Sequence, residues 1–123
     1  MSGSIAHIFF VEDEPDLQQV MQITLDGIPS LKYKILNSAE EALEAMEKEL
    51  PDAVVCDHYL PKMTGVNLLI NVKDKFPSVK RYLLTGAVDQ KVYQSAKIDA
   101  QVVKIFEKPL IIEDIIHEIT GKL

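Results

Sequence analysis

The chain has 123 residues, 47% hydrophobic and 26% charged, a globular composition that excludes a disordered or membrane-spanning protein and predicts one domain over residues 1–123. A formal net charge of -6, from 13 basic and 19 acidic residues, argues against a protein that grips nucleic acid or an anionic membrane surface. The single cysteine, Cys56, excludes an internal disulfide, and Met1 to Ser4 bring no basic stretch ahead of a long apolar run, so a soluble cytoplasmic protein is expected.

In chain order, short apolar runs alternate with segments of helical spacing. A strand is predicted over Ile5 to Val11, and Leu17, Val20, Met21, Thr24 and Ile28 then share a helix face, with Pro15 in the first turn. A second strand, Tyr33 to Leu36, leads to a helix carrying Ala39, Ala42, Leu43 and Met46, opened by a capping box at Ser38-Ala39-Glu40-Glu41 and stopped before Pro51. The third strand, Ala53 to Cys56, precedes a helix with Leu68, Leu69, Val72 and Phe76, stopped before Pro77. A fourth strand, Arg81 to Leu84, is followed by a helix over about Asp89 to Lys97 with a thin apolar stripe of Val92, Tyr93 and Ala96. Val102 to Phe106 reads as a fifth strand, and Ile112, Ile115, Ile116 and Ile119 as the face of a last helix. Such alternation implies parallel strands joined by right-handed crossovers, with helices on both faces of the sheet. Ligands in these α/β folds collect beyond the carboxyl ends of the strands.

The residues just after each apolar run therefore carry the chemistry. Glu12-Asp13-Glu14-Pro15-Asp16 follows the first strand. Helix-end electrostatics accounts for Glu14 and Asp16, but less well for Glu12 and Asp13, which abut the buried end of the strand. The third strand ends at Asp57, next to Asp13 if the two strands are neighbours. Two carboxylates about 4 Å apart repel by roughly 4 kcal/mol at an effective dielectric of about 20, so a hard divalent cation, Mg2+ first, is expected between them. The fourth strand ends in Thr85-Gly86, offering a hydroxyl, and the fifth in Lys108-Pro109, offering an ammonium held by the restricted backbone before proline.

This constellation resembles the receiver domains of two-component response regulators, from about Ile5 to Gly121. The resemblance rests on Glu12-Asp13, Asp57 followed by Leu60-Pro61 and Gly65, Thr85-Gly86 and Lys108-Pro109. It implies a doubly wound, flavodoxin-like parallel sheet of five strands in the order 2-1-3-4-5. It further implies that Asp57 accepts a phosphoryl group from a phosphohistidine on a histidine kinase or histidine phosphotransfer protein. Asp13, Asp57 and the backbone carbonyl of Tyr59 would hold Mg2+, with Glu12 acting through a metal-bound water. Lys108 and Thr85 would each meet a phosphoryl oxygen, with the amides of Tyr59 and Gly86 as further donors. The domain would be a signalling module rather than an enzyme, passing its state to a downstream protein.

Two positions depart from the family pattern. Ile105 stands where an inward-turning switch aromatic is usual, leaving that element absent or transferred to Phe106 or Tyr82, and Glu12 replaces the commoner Asp. The first departure supports an alternative, a phosphorylation-independent adaptor built on the same fold. Tyr59 is bulkier than the polar residues often found there and is placed to screen an acyl phosphate from water. His7, His58 and His117 lack metal-ligand spacing. The missing glycine-lysine motif argues against a P-loop enzyme, and Tyr59, at the place of a second Asp, argues against the nearest enzyme alternative, an aspartyl-phosphate hydrolase.

Overall fold

The structure is a computed structural model, and it describes residues 6–86, 89–109 and 111–121. Five parallel strands form one sheet in the order β2-β1-β3-β4-β5: β1 (Ala6–Val11), β2 (Leu31–Leu36), β3 (Ala53–Asp57), β4 (Lys80–Thr85) and β5 (Lys104–Glu107). The helices between and after them are α1 (Pro15–Asp26), α2 (Ala39–Lys48), α3 (Gly65–Lys75), α4 (Gln90–Gln94), which continues as a π-helical turn (Ser95–Asp99), and α5 (Ile112–Thr120). This is the doubly wound, flavodoxin-like arrangement expected from the sequence.

Burial explains why the central strands are apolar throughout. All of β3 and the last four residues of β1 are buried, whereas the edge strands β2 and β5 keep exposed or half-buried positions. Side chains alternate across the sheet. Phe9, Val11, Val54, Cys56 and Leu83 pack with α2, α3 and Ala96, while Ile8, Phe10, Val55, Tyr82 and Leu84 pack with Met21 and Leu25 of α1 and Ile112, Ile115 and Ile116 of α5.

Pro15 does open α1, and the Ser38 hydroxyl accepts the Glu41 amide at 3.1 Å. The capping box is displaced by one residue, because the Glu41 carboxylate accepts from the amide of Asn37 rather than that of Ser38. Ile5 lies outside the described residues. The predicted fourth helix is shorter as an α-helix and ends in the π turn, where the Ala100 amide reaches back to the Ser95 carbonyl. β5 begins two residues later than its apolar run because Val102 is still tied to the helix end, its amide donating to the Ala96 carbonyl.

Candidate functional site

The strand register brings four of the predicted residues to one edge. Val11 pairs with Cys56, Asp57 with Leu84 and Thr85 with Glu107, so Glu12, Asp57, Thr85 and Lys108 stand at or just beyond successive carboxyl ends. Glu12 and Asp57 are each 3% exposed and Thr85 1%. Lys108 forms an ion pair and hydrogen bond through Nζ with Oδ2 of Asp57, while Oδ1 of Asp57 accepts the Tyr59 amide at 3.0 Å. The Lys108 amide donates to the Thr85 carbonyl at 3.0 Å, which fixes the lysine against the end of β4.

Glu12 is held from both sides. Its amide donates to the Leu36 carbonyl, its carboxylate accepts the Glu14 amide at 3.1 Å, and Nε2 of Gln18 donates to its carbonyl oxygen at 2.6 Å. The same Gln18 nitrogen donates to Asn37, joining α1 to the loop after β2. Gln18 is a residue that sequence reasoning missed; its one signal was a long amide side chain a turn into α1, facing back toward the strand end. Asp13, by contrast, is exposed. Among the described residues no three His, Cys, Asp or Glu side chains are gathered as a ready metal cage. The reason is visible in the bonding: Lys108 and the Tyr59 amide engage Asp57, and Glu12 is turned to the Glu14 amide.

The electrostatics nevertheless fit a hard divalent cation. Two buried carboxylates, Glu12 and Asp57, face one ammonium, leaving one negative charge, and exposed Asp13 adds another at the rim. Burial raises the Glu12 carboxyl above its usual value, the Glu14 amide opposes this, and the Asp57 charge adds to it. For Lys108, burial alone would lower the ammonium, but the hydrogen bond and charge of Asp57, followed by Glu12 and Glu14, hold it above its usual value. Because the folded pKa of Glu12 exceeds the unfolded one, its contribution to stability is present below the unfolded pKa of 4.5 and is lost as pH rises through the folded value. Glu12→Gln is therefore expected to melt higher than wild type at pH 7.5 in chelator, the gap closing toward pH 4. Melts that coincide at pH 7.5 would show that the Glu12 charge is already compensated.

Gly65 explains how the end of β3 is seated. A methyl group there would overlap the Asp57 carbonyl oxygen and stand 2.8 Å from Cα of His58, and the Gly65 amide donates to the His58 carbonyl at 2.8 Å. Thr64 caps this end of α3 by accepting the Asn67 amide. Tyr59 is 59% exposed, with its ring edge-on to buried His58, whose imidazole is pushed down by burial. Ile105 packs on the α2–α3 side of the sheet, next to Leu83 in register. Phe106 stacks on Tyr82 on the opposite, α1–α5 side, so neither ring stands at the Ile105 position. A cavity of about 880 Å3 bordered by Ile28, Pro51 and Ile116 lies at the amino-terminal end of the sheet, among none of these residues.

The family model for the response regulator receiver domain matches residues 8–120. The hydrogenase transcriptional regulatory protein HoxA of Cupriavidus necator is 25% identical over 119 residues, 97% of this chain and 24% of that protein. The response regulator protein FleR of Pseudomonas aeruginosa is 29% identical over 121 residues, 96% of this chain and 25% of that protein. The chain thus spans about a quarter of the length of these relatives. The signal receiver domain of an HD domain-containing protein from Pseudomonas fluorescens superposes with a TM-score of 0.84 at 25% identity, covering 91% of this chain and 89% of that one. A CheY-like receiver domain protein from Methanospirillum hungatei gives 0.86 at 23% identity, covering 96% and 93%, a likeness of fold. Among the described residues no helix is long and apolar enough to cross a membrane.

Proposed function

The chain belongs to the response regulator receiver domain family of two-component signalling, and on that premise we propose that it is a phosphoacceptor whose acceptor is Asp57. The observation that carries this reading is the buried Asp57 carboxylate, bonded to Lys108 at the edge it shares with Glu12 and Thr85. An oxygen of Asp57 attacks the phosphorus of a phosphohistidine. The O–P bond forms as the P–N bond breaks, and the imidazole leaves with the bonding pair and takes up a proton. Such in-line transfer needs positioning and dispersal of negative charge more than covalent chemistry. Lys108 moves its hydrogen bond from Asp57 to a phosphoryl oxygen, Thr85 donates its hydroxyl to another, and the Tyr59 and Gly86 amides add donors. Asp13, Asp57 and the Tyr59 carbonyl would hold Mg2+, with Glu12 acting through water. When bound, the cation would supply positive charge that offsets the negative charge gathered at this edge during transfer.

The partners on this reading are a histidine kinase or histidine phosphotransfer protein upstream and a downstream protein, in the cytoplasm, with no nucleic acid or membrane contact by this domain. Phosphate taken from a phosphoramidate donor with Mg2+ is expected to be released by neutral hydroxylamine, the signature of an acyl phosphate. Phosphate that resists hydroxylamine would place it on a hydroxyl instead. Ile105 favours a second reading, an adaptor whose partner binding ignores phosphorylation. That reading requires partner affinity to be the same for phosphorylated and unphosphorylated chains.

A further inference from the structure

Arg81, at the start of β4, is 9% exposed and points to the α3 side of the sheet, at the end away from Asp57. Its guanidinium has carbonyls for partners. Nε donates to Ala100 at 2.9 Å, Nη1 to Val79 at 2.7 Å and Pro77 at 3.3 Å, and Nη2 to Gln101 at 3.4 Å. Pro77 and Val79 follow the end of α3, while Ala100 and Gln101 follow the end of the π turn. One cation therefore ties the connection after α3 to the residues that close the π turn, Ala100 being the cap residue of that turn, and it sits near the negative ends of both helices. It also holds a strained turn: Gln101 has φ 50, a left-handed conformation that residues other than glycine seldom adopt.

The opposite end of the α4 segment is held lightly. α4 has no buried residue, only Val92 packing partly against the core, and its cap is the exposed Asp89 accepting the Lys91 amide. This end lies next in sequence to Thr85-Gly86 at the phosphoacceptor edge. We propose that Arg81 is a fixed pivot, anchoring the C-terminal end of the α4 segment so that its displacement on signalling is confined to the Asp89 end. The direction of that motion rests on the phosphoacceptor reading, whereas the anchor itself does not.

Hydrogen exchange on the full chain separates the two. Without ligand, Arg81→Met, which keeps the length but loses every donor, should raise exchange at amides 96–103 about tenfold, with Arg81→Lys intermediate and amides 8–11 unchanged. With Mg2+ and beryllofluoride as a phosphoryl mimic, wild type should change at 89–94 and stay protected at 96–103, while the Met variant should change across both. Unaltered exchange at 96–103 in both variants would overturn the pivot, as would a wild-type response spread evenly over 89–103. A rise at 8–11 in both variants would overturn it too, making Arg81 a support of the whole fold. If the mimic leaves amides 12–14 and 57–59 unaffected, the phosphoacceptor reading fails, and the ligand-free comparison still decides the anchor.

Discussion

Gly65→Val is expected to lower the melting temperature by roughly 12 °C, from a destabilisation of about 3 kcal/mol at about 4 °C per kcal/mol. Any Cβ at Gly65 overlaps the carbonyl oxygen of Asp57 and comes within 2.9 Å of its carbonyl carbon. These are backbone atoms of a fully buried strand end, hydrogen-bonded through His58 to Leu84, and they cannot yield as a flexible side chain would. α3 must therefore retreat, taking with it Val66, Leu68 and Leu69 and the core they fill. Gly86→Ala is the matched comparison, since its Cβ would meet Cδ of Lys108 at an ordinary 3.6 Å. It should cost under about 1 kcal/mol. A Gly65→Val melt within a few degrees of Gly86→Ala would show that the α3 start is not tightly seated. The retreat of α3 pulls on the connection before it, whose Tyr59 amide donates to Oδ1 of Asp57, so the Gly65 variant should also accept phosphate more slowly than its stability alone explains.

Lys108→Met should be the second large effect. Removing one partner of a buried ion pair typically costs about 3–5 kcal/mol. Here the Asp57 side chain is 4% exposed but that of Lys108 is 29%, so solvent screens part of the pair and about 2–3 kcal/mol is expected. Methionine retains the stem, which isolates the charge from the packing. What remains is Glu12 beside Asp57 with no cation, and the loss should be greatest in chelator. Mg2+ at a hundred times its Kd adds about 2.7 kcal/mol by mass action, restoring most of the stability if the carboxylates bind it. A variant that melts like wild type in chelator, or one that Mg2+ leaves unmoved, would contradict this account of the acidic edge. Phosphate uptake should remain slow even with Mg2+, because Lys108 is assigned to the phosphoryl oxygens rather than to the metal.

Much of this was legible in the residues. Asp57, Thr85 and Lys108 each stand at or just past an apolar run, and in a parallel sheet all such ends fall on one edge. The buried central strands and two-sided core followed from the unbroken apolar runs of β1 and β3. Other features depended on contacts distant in sequence. Gly65 entered the sequence reading only as one residue of the family resemblance, and its approach to the Asp57 backbone is what shows why a side chain is excluded. Arg81 read as the first residue of a strand, because backbone carbonyls as acceptors leave no complementary acid in the sequence. The π turn was hidden by the thin stripe of Val92, Tyr93 and Ala96. The placement of Phe106 was open to inspection, since period-two alternation puts it on the face opposite Ile105.

The central claim is that Asp57 is the phosphoacceptor, and intact mass answers it most directly. After incubation with acetyl phosphate and Mg2+, wild type should gain the mass of a single phosphate, and peptide mapping should place it on the segment containing Asp57. Asp57→Ala should gain none, and wild type in excess chelator should gain little. A phosphate acquired by Asp57→Ala at the wild-type rate, or a wild-type chain that never gains mass, would contradict the account.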